Sequence, residues 1–119
     1  MDRRAKGKEA EQAAEQFLKA QGLRPLLRNA NCRLGEIDLV MQDADTIVFI
    51  EVRQRTHSQF GGAAQSVDSI KQRKLIQTAQ LLLQRHPDWS TRPCRFDVIA
   101  FECGSAQHLP LWYKDAFRP

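Results

Sequence analysis

Two runs decide how this chain reads: Gly35-Glu36-Ile37-Asp38-Leu39-Val40, and after a short gap Phe49-Ile50-Glu51-Val52-Arg53-Gln54-Arg55. Each reads as a strand, yet each carries acids inside an otherwise apolar stretch. An acid on a buried strand costs free energy unless a cation, a hydrogen-bond donor or solvent meets it. The polar Asp43-Ala44-Asp45 between them reads as a turn, so residues 36–42 and 46–53 form a hairpin. Two acids on strands joined this closely suggest a built site for a divalent metal.

The register of that hairpin is decisive. Side chains alternate faces along a strand, so Glu36 and Asp38 share one face, and Glu51 and Arg53 share one face. The two faces coincide only if paired residue numbers sum to an odd value, as when Asp38 lies opposite Glu51. A two-residue turn at Ala44-Asp45 achieves this. An even sum, such as Asp38 opposite Ile50, would send the acids to opposite faces.

Outward from the hairpin, residues 5–21 read as a helix. Ala10, Ala13, Ala14, Phe17 and Leu18 form its apolar stripe, and Gly22 is the expected stop. Leu23 to Asn29 reads as a short strand, with Pro25 favouring an edge or a bulge. Residues 54–66 form a loop containing Phe60-Gly61-Gly62. Residues 67–86 read as a second helix, on which Val67, Ile70, Leu75, Thr78, Ala79, Leu82 and Leu83 make the apolar stripe. His86-Pro87 ends it, and Asp88 to Pro93 follow as a loop. Arg95 to Glu102 and Leu109 to Tyr113 complete the strands. The order α-β-β-β-α-β-β predicts an α/β fold, a mixed sheet flanked by helices.

The chain has 119 residues, enough for one domain spanning 1–119. Its 42% hydrophobic and 27% charged residues are ordinary for a soluble globular protein. No apolar run approaches a membrane span, and Met1-Asp2-Arg3-Arg4 is not followed by the apolar stretch of a secretory signal. A cytoplasmic location without membrane association is therefore expected. Cys32, Cys94 and Cys103 are odd in number and irregular in spacing, which argues for reduced thiols over a disulfide framework or structural zinc. A net charge of +4 tilts the chain mildly toward polyanions.

Carboxylates around one point suit Mg²⁺ or Mn²⁺, hard cations that prefer oxygen ligands. Asp38 and Glu51 are the central pair. Arg53 follows Glu51 on the same strand face, about 7 Å along, placed to stabilise charge on a phosphate. The competing reading is that Asp38, Glu51 and Arg53 form a satisfied salt-bridge cluster. Lys71, Arg73 and Lys74 open the second helix, where a solvated helix end and a phosphate contact are both open readings. Phe60, Trp89 and Trp112 are candidates for base stacking but equally for core. His57, His86 and His108 are dispersed. Asp97 is read as structural.

A set of short motifs carries a resemblance across nearly the whole chain: Glu11, Gly22, Arg28-Asn29, Gly35-Glu36-Ile37-Asp38-Leu39, Phe49-Ile50-Glu51-Val52-Arg53 with Arg55, Phe60-Gly61, Lys71, and Arg95-Phe96-Asp97-Val98. With these the chain resembles the YraN family of uncharacterised bacterial proteins, which are similar to archaeal Holliday-junction resolvases and to restriction-endonuclease-like nucleases. The resemblance implies a restriction-endonuclease-like core and a signature of an Asp followed one strand later by Glu-x-Lys. Asp38 and Glu51 match its acids, and Glu11 falls where resolvase-like members place a further acid. The metal ligands it implies are Asp38, Glu51 and Glu11, with Mg²⁺ or Mn²⁺ as the ion. Arg55, Lys71, Arg73 and Lys74 would contact DNA of branched or structured form. Cutting a junction symmetrically would call for a homodimer.

The chain departs from that signature at its last position, where Arg53 stands in place of lysine. Arginine is not deprotonated in proteins and cannot serve as a general base. It can still hold a phosphate, often through two hydrogen bonds. Two function classes follow: a metal-dependent endonuclease hydrolysing phosphodiester bonds in branched DNA, and a nucleic-acid binding module that has the fold without the catalysis.

Overall fold

A computed structural model describes residues 3–54, 67–101 and 110–119, with side chains from Gly7 onward in the first helix. The elements run α1 (Arg3–Ala20), β1 (Arg24–Cys32), β2 (Gly35–Asp43), β3 (Thr46–Gln54), α2 (Ser69–Arg85), α3 (Pro87–Ser90), β4 (Cys94–Phe101) and β5 (Leu111–Phe117). The expected loop at Asp88–Pro93 thus begins with a single helical turn, opened by Pro87, whose fixed φ suits a first helical position. The loop expected at 54–66, with Phe60 and Gly61-Gly62, lies almost entirely outside the described residues, as do Arg55, His57, Cys103 and His108.

The five strands form one sheet in the order β1-β2-β3-β4-β5. Only the β3–β4 pair is parallel, with α2 and α3 in the connection between them. The result is the α/β fold expected, a mixed sheet flanked by helices, and it is consistent with a nuclease-like fold. The helices take opposite faces. Ala10, Ala14 and Leu18 of α1 pack on Leu39, Met41, Val48, Ile50, Ile99 and Phe101. Leu75, Ala79 and Leu82 of α2 pack on Ile37, Val40, Ile47, Phe49, Phe96 and Val98. Each fully buried side chain of this size contributes roughly 1.5–3 kcal/mol by leaving water.

Local chemistry sets the ends. Gly22 has φ 99, and its N–H and that of Leu23 close back on the carbonyls of Lys19 and Leu18, which stops α1. Asp68 caps α2 by accepting from the Lys71 N–H at 2.8 Å. Gly35 opens β2 at φ 155, where a Cβ would stand 3.1 Å from Thr78 Oγ1, so the glycine lets α2 approach the strand. Pro25 meets both of its expectations: β1 is an edge strand, and its register shifts between Pro25 and Leu27.

Several details differ from expectation. Strand β1 runs on to Cys32, and β5 to Phe117, because pairing with a neighbour extends strands past their apolar stretch. Ile70, read as part of the α2 stripe, is 67% exposed. The tryptophans are structural. Trp89 is buried and stacks on His86 at 3.9 Å between ring centroids. Trp112 packs edge-on against Phe17 and donates its indole N–H to Asp97 at 2.9 Å.

Asp97 has the structural role expected of it. It is wholly buried in β4, and its carboxylate accepts from Arg95, from Trp112 and from the Asp115 N–H. Arg95 continues to Asp43 at 2.9 Å, tying β4 to the far end of β2. Asp97→Ala would strand these donors in the interior. It is expected to cost about 3–5 kcal/mol and to lower the melting temperature by more than about 10 °C. A melt within a few degrees of wild type would show that the network is dispensable.

Candidate functional site

The hairpin has an odd register. Leu39 pairs with Ile50 and Asp43 with Thr46, so the turn is the two residues Ala44-Asp45, with Ala44 at φ 54. Continued by one step, the same register sets Asp38 opposite Glu51. The ladder stops there. The Val52 N–H, instead of bonding a β2 carbonyl, donates to Asp38 Oδ2 at 2.8 Å. Beyond this point β2 stays with β1 as far as Gly35, while β3 stays with β4 as far as Gln54. The two strands of the hairpin fork, and a pocket of about 280 Å³ opens at the fork.

Face alternation is broken at the same place. Leu39 and Met41 belong to the α1 side of the core, and Ile37 and Val40 to the α2 side, so the alternation slips between Ile37 and Leu39. In β1 the matching position is Asn29, in the left-handed region at φ 49. Such backbone is sparsely populated outside glycine and asparagine. The side chain of Asn29 turns toward α1 and donates to Glu11 Oε1 at 2.8 Å. Its neighbour Arg28 makes a two-point ion pair with the buried Glu15, one helical turn on from Glu11.

Because the strands fork, side chains from both helical layers reach one pocket. Its walls include Glu11 of α1, Glu36 and Asp38 of β2, Glu51, Arg53 and Gln54 of β3, and Lys71 of α2. Four of the residues singled out from sequence, Asp38, Glu51, Arg53 and Glu11, therefore converge. Lys71, read as a backbone contact together with Arg73 and Lys74, joins them, while Arg73 and Lys74 stand exposed on the helix outside the pocket. Gln54, which simple alternation points to the other face, also lines it. Arg55 lies outside the described residues.

The charges are shared unequally. Glu51, 6% exposed, is met at Oε2 by the Arg53 guanidinium at 3.1 Å and by Lys71 Nζ at 3.8 Å. Asp38 has the Val52 N–H but no cation within ion-pair distance among the described residues. Burial pushes its carboxyl up to about 7, the adjacent Glu51 charge adds to the rise, and the Val52 bond opposes it. Burial also raises Glu11, against the Asn29 bond that lowers it, with the Asp38 charge adding to the rise. The Nε–H of Arg53 is buried with no acceptor among the described residues.

For a divalent cation the donor set is a pair of hard carboxylates in mutual contact, with Glu11 at the margin. Although Glu11, Asp38 and Glu51 line one pocket, no three acidic, histidine or cysteine side chains among the described residues stand close enough together to hold one ion as they are placed. A carboxylate pair is nevertheless what Mg²⁺ accepts, since it keeps several of its waters. Asp38 and Glu51 are the residues that could hold such an ion. The roles of Asn29 and of the Arg28–Glu15 pair were not read from sequence. The available signal was Glu11 and Glu15 one turn apart, beside an apolar stripe and facing two polar residues of an edge strand.

The raised Asp38 carboxyl has a consequence for stability. In an unfolded chain it titrates near about 4; folded, near 7. The folded state therefore binds the extra proton between these values, and stability is lost as pH rises through about 7. Asp38→Asn removes that loss while keeping an acceptor for Val52. At pH 8 the variant is expected to be more stable than wild type, on the order of 2–4 kcal/mol, with the gain shrinking to nothing near pH 4. Urea melts at both pH values check this; an equal gain at pH 4 would show that the effect is not the carboxyl charge.

With this geometry established, comparison with known proteins gives the chain its family. The model of the uncharacterised protein family UPF0102 matches residues 10–101. A UPF0102 protein of Pseudomonas savastanoi pv. phaseolicola is 54% identical over 97% of this chain and 94% of its own length. One from Stutzerimonas stutzeri is 54% identical over 93% of this chain and 92% of its own. Another, from Ectopseudomonas mendocina, is 50% identical over 93% and 92%. The chain belongs to UPF0102, the YraN-like family that its motifs resemble.

Proposed function

We propose that the chain is a metal-dependent endonuclease acting on structured or branched DNA. The observation that carries this reading is the meeting of Asp38 and Glu51 at the fork, where two like charges are forced together beside a solvent-open pocket. Structural acids are normally neutralised by neighbours; a pair that holds a proton near neutral pH is poised to exchange it for a cation. Mg²⁺ or Mn²⁺ held by Asp38 and Glu51, with Glu11 alongside, would supply activation of water and charge compensation at phosphorus.

The chain's own residues account for the rest. Hydrolysis adds one water across one P–O bond, leaving a phosphomonoester on one side and a hydroxyl on the other. Arg53, whose guanidinium lines the pocket beside Glu51, would donate to a phosphate oxygen. Arg73 and Lys74, exposed beside the pocket, would hold the backbone without reading sequence. Symmetric cleavage of a four-way junction would engage two copies of the chain.

A second reading is favoured by one observation. Glu51 is already paired with Arg53 and Lys71, as it would be in a salt-bridge cluster of a binding module that does not cut.

Cleavage of four-way junctions, flaps and duplexes with Mg²⁺ or Mn²⁺ separates the two. Asp38→Asn and Glu51→Gln are each expected to slow cutting at least about 100-fold while DNA affinity changes little. Wild-type rates are expected to fall below pH 7, where the proton on Asp38 competes with the metal. Binding without cutting under every condition would favour the module. Replacing Arg73 or Lys74 by Ala should weaken binding for all sequences alike. Each should also reduce the salt dependence of log K by about one unit, and an unchanged salt slope would place the DNA elsewhere.

A further inference from the structure

The position where the nuclease signature has lysine is Arg53, yet the pocket does contain a lysine, contributed by the other helical layer. Lys71 sits in the first turn of α2, and its Nζ stands 3.8 Å from Glu51 Oε2, the oxygen that Arg53 also meets at 3.1 Å. It is the one lysine lining that pocket among the described residues. Its backbone is fixed, because its N–H is the one that caps α2 on Asp68. Its side chain is not: it is 40% exposed, whereas the carboxylate it meets is 7% exposed. An ammonium on a flexible stem at the mouth of a buried carboxylate can move away without leaving a buried group unpaired on its own side.

We propose that Lys71 is the amine of this site and works as an exchangeable counterion. In the metal-free protein its ammonium partly neutralises Glu51. A divalent cation held by the Glu51 carboxylate would repel the nearby ammonium, and of the two cations on that oxygen Lys71, at 3.8 Å and the more exposed, would be the one to pass to a non-bridging oxygen of a bound phosphate. Arg53, held more deeply and closer to Glu51, stays to orient that carboxylate. The assignment separates Lys71 from Arg73 and Lys74, which are exposed and stand outside the pocket. It rests on the nuclease reading above.

The two halves of the exchange move in opposite directions in one variant. Lys71→Met removes the competitor from Glu51, so Mn²⁺ titrated calorimetrically into the full chain without DNA should bind about threefold or more tightly. The same variant, saturated with Mn²⁺ and with junction DNA, should cut at least about tenfold more slowly. Lys71→Arg keeps the charge and should return Mn²⁺ affinity to the wild-type value. Lys19→Met, at the far end of α1, should change neither quantity. Unchanged or weaker Mn²⁺ binding by Lys71→Met overturns the proposal, as does an unchanged cutting rate at saturation. If the wild-type chain cuts and Lys71→Met cuts equally well, this inference alone falls. If the wild-type chain binds Mn²⁺ but cuts no DNA, the nuclease reading falls and takes this one with it.

Discussion

The two-residue turn at Ala44-Asp45 fixes the face of every side chain in the hairpin. With that turn the paired numbers sum to an odd value, and Leu39, Met41, Val48 and Ile50 all reach the α1 side together. A slip of one residue would present the apolar set of one strand to the wrong helix, so the core and the acids depend on the same register. The core holds the register through many buried side chains, each worth kilocalories. Two repelling carboxylates could not choose it for themselves. The proximity of Asp38 and Glu51 is thus imposed by packing elsewhere, and both burial and the neighbouring Glu51 charge push the Asp38 carboxyl upward.

The fork that follows the last ladder pair converts this constraint into a site. A continuous sheet separates its two helical layers, and nothing on α1 could meet anything on α2 through it. Where β2 departs with β1 and β3 with β4, that barrier opens, and Glu11 and Lys71 come to line one pocket. The Asp38 carboxylate takes the Val52 N–H that the departing strand would otherwise have satisfied. An unsatisfied backbone group there would cost about 1–3 kcal/mol. The acid therefore serves the fold by closing the ladder, and lies beside Glu51 at the same time. Charge is then divided unevenly: Glu51 receives both cations, and the Asp38 carboxyl, without one, is pushed upward.

Features set by short-range patterns were legible in the sequence. The apolar stripe of α1, the Gly22 stop and the hairpin itself follow from spacing and turn chemistry, whereas sequence left the hairpin with two possible registers, and the pairing of Leu39 with Ile50 decides for the odd one. Features set by departures from a pattern were not. The slip in alternation at Asp38 and Asn29 depends on a left-handed residue that sequence does not announce. Gln54 reaches the pocket for a similar reason, since strict alternation ceases to apply where the strands fork. Lys71 was visible as a cation but not as a neighbour of Glu51, because its reach depends on how α2 lies over the sheet. Ile70 misled in the other direction: helical spacing put it on the stripe, but the folded chain leaves it exposed.

Both outer strands of the sheet are interrupted in the same manner. β1 shifts register after Pro25 and carries Asn29 at φ 49; β5 shifts register opposite the Phe96–Val98 stretch and carries Asp115 at φ 52. A strand kinked this way cannot offer an evenly spaced row of N–H and C=O groups to an incoming chain. Such irregularities make regular pairing at either margin of the described sheet less favourable. A pair of copies formed by extending one sheet into the next would have to bridge these kinks.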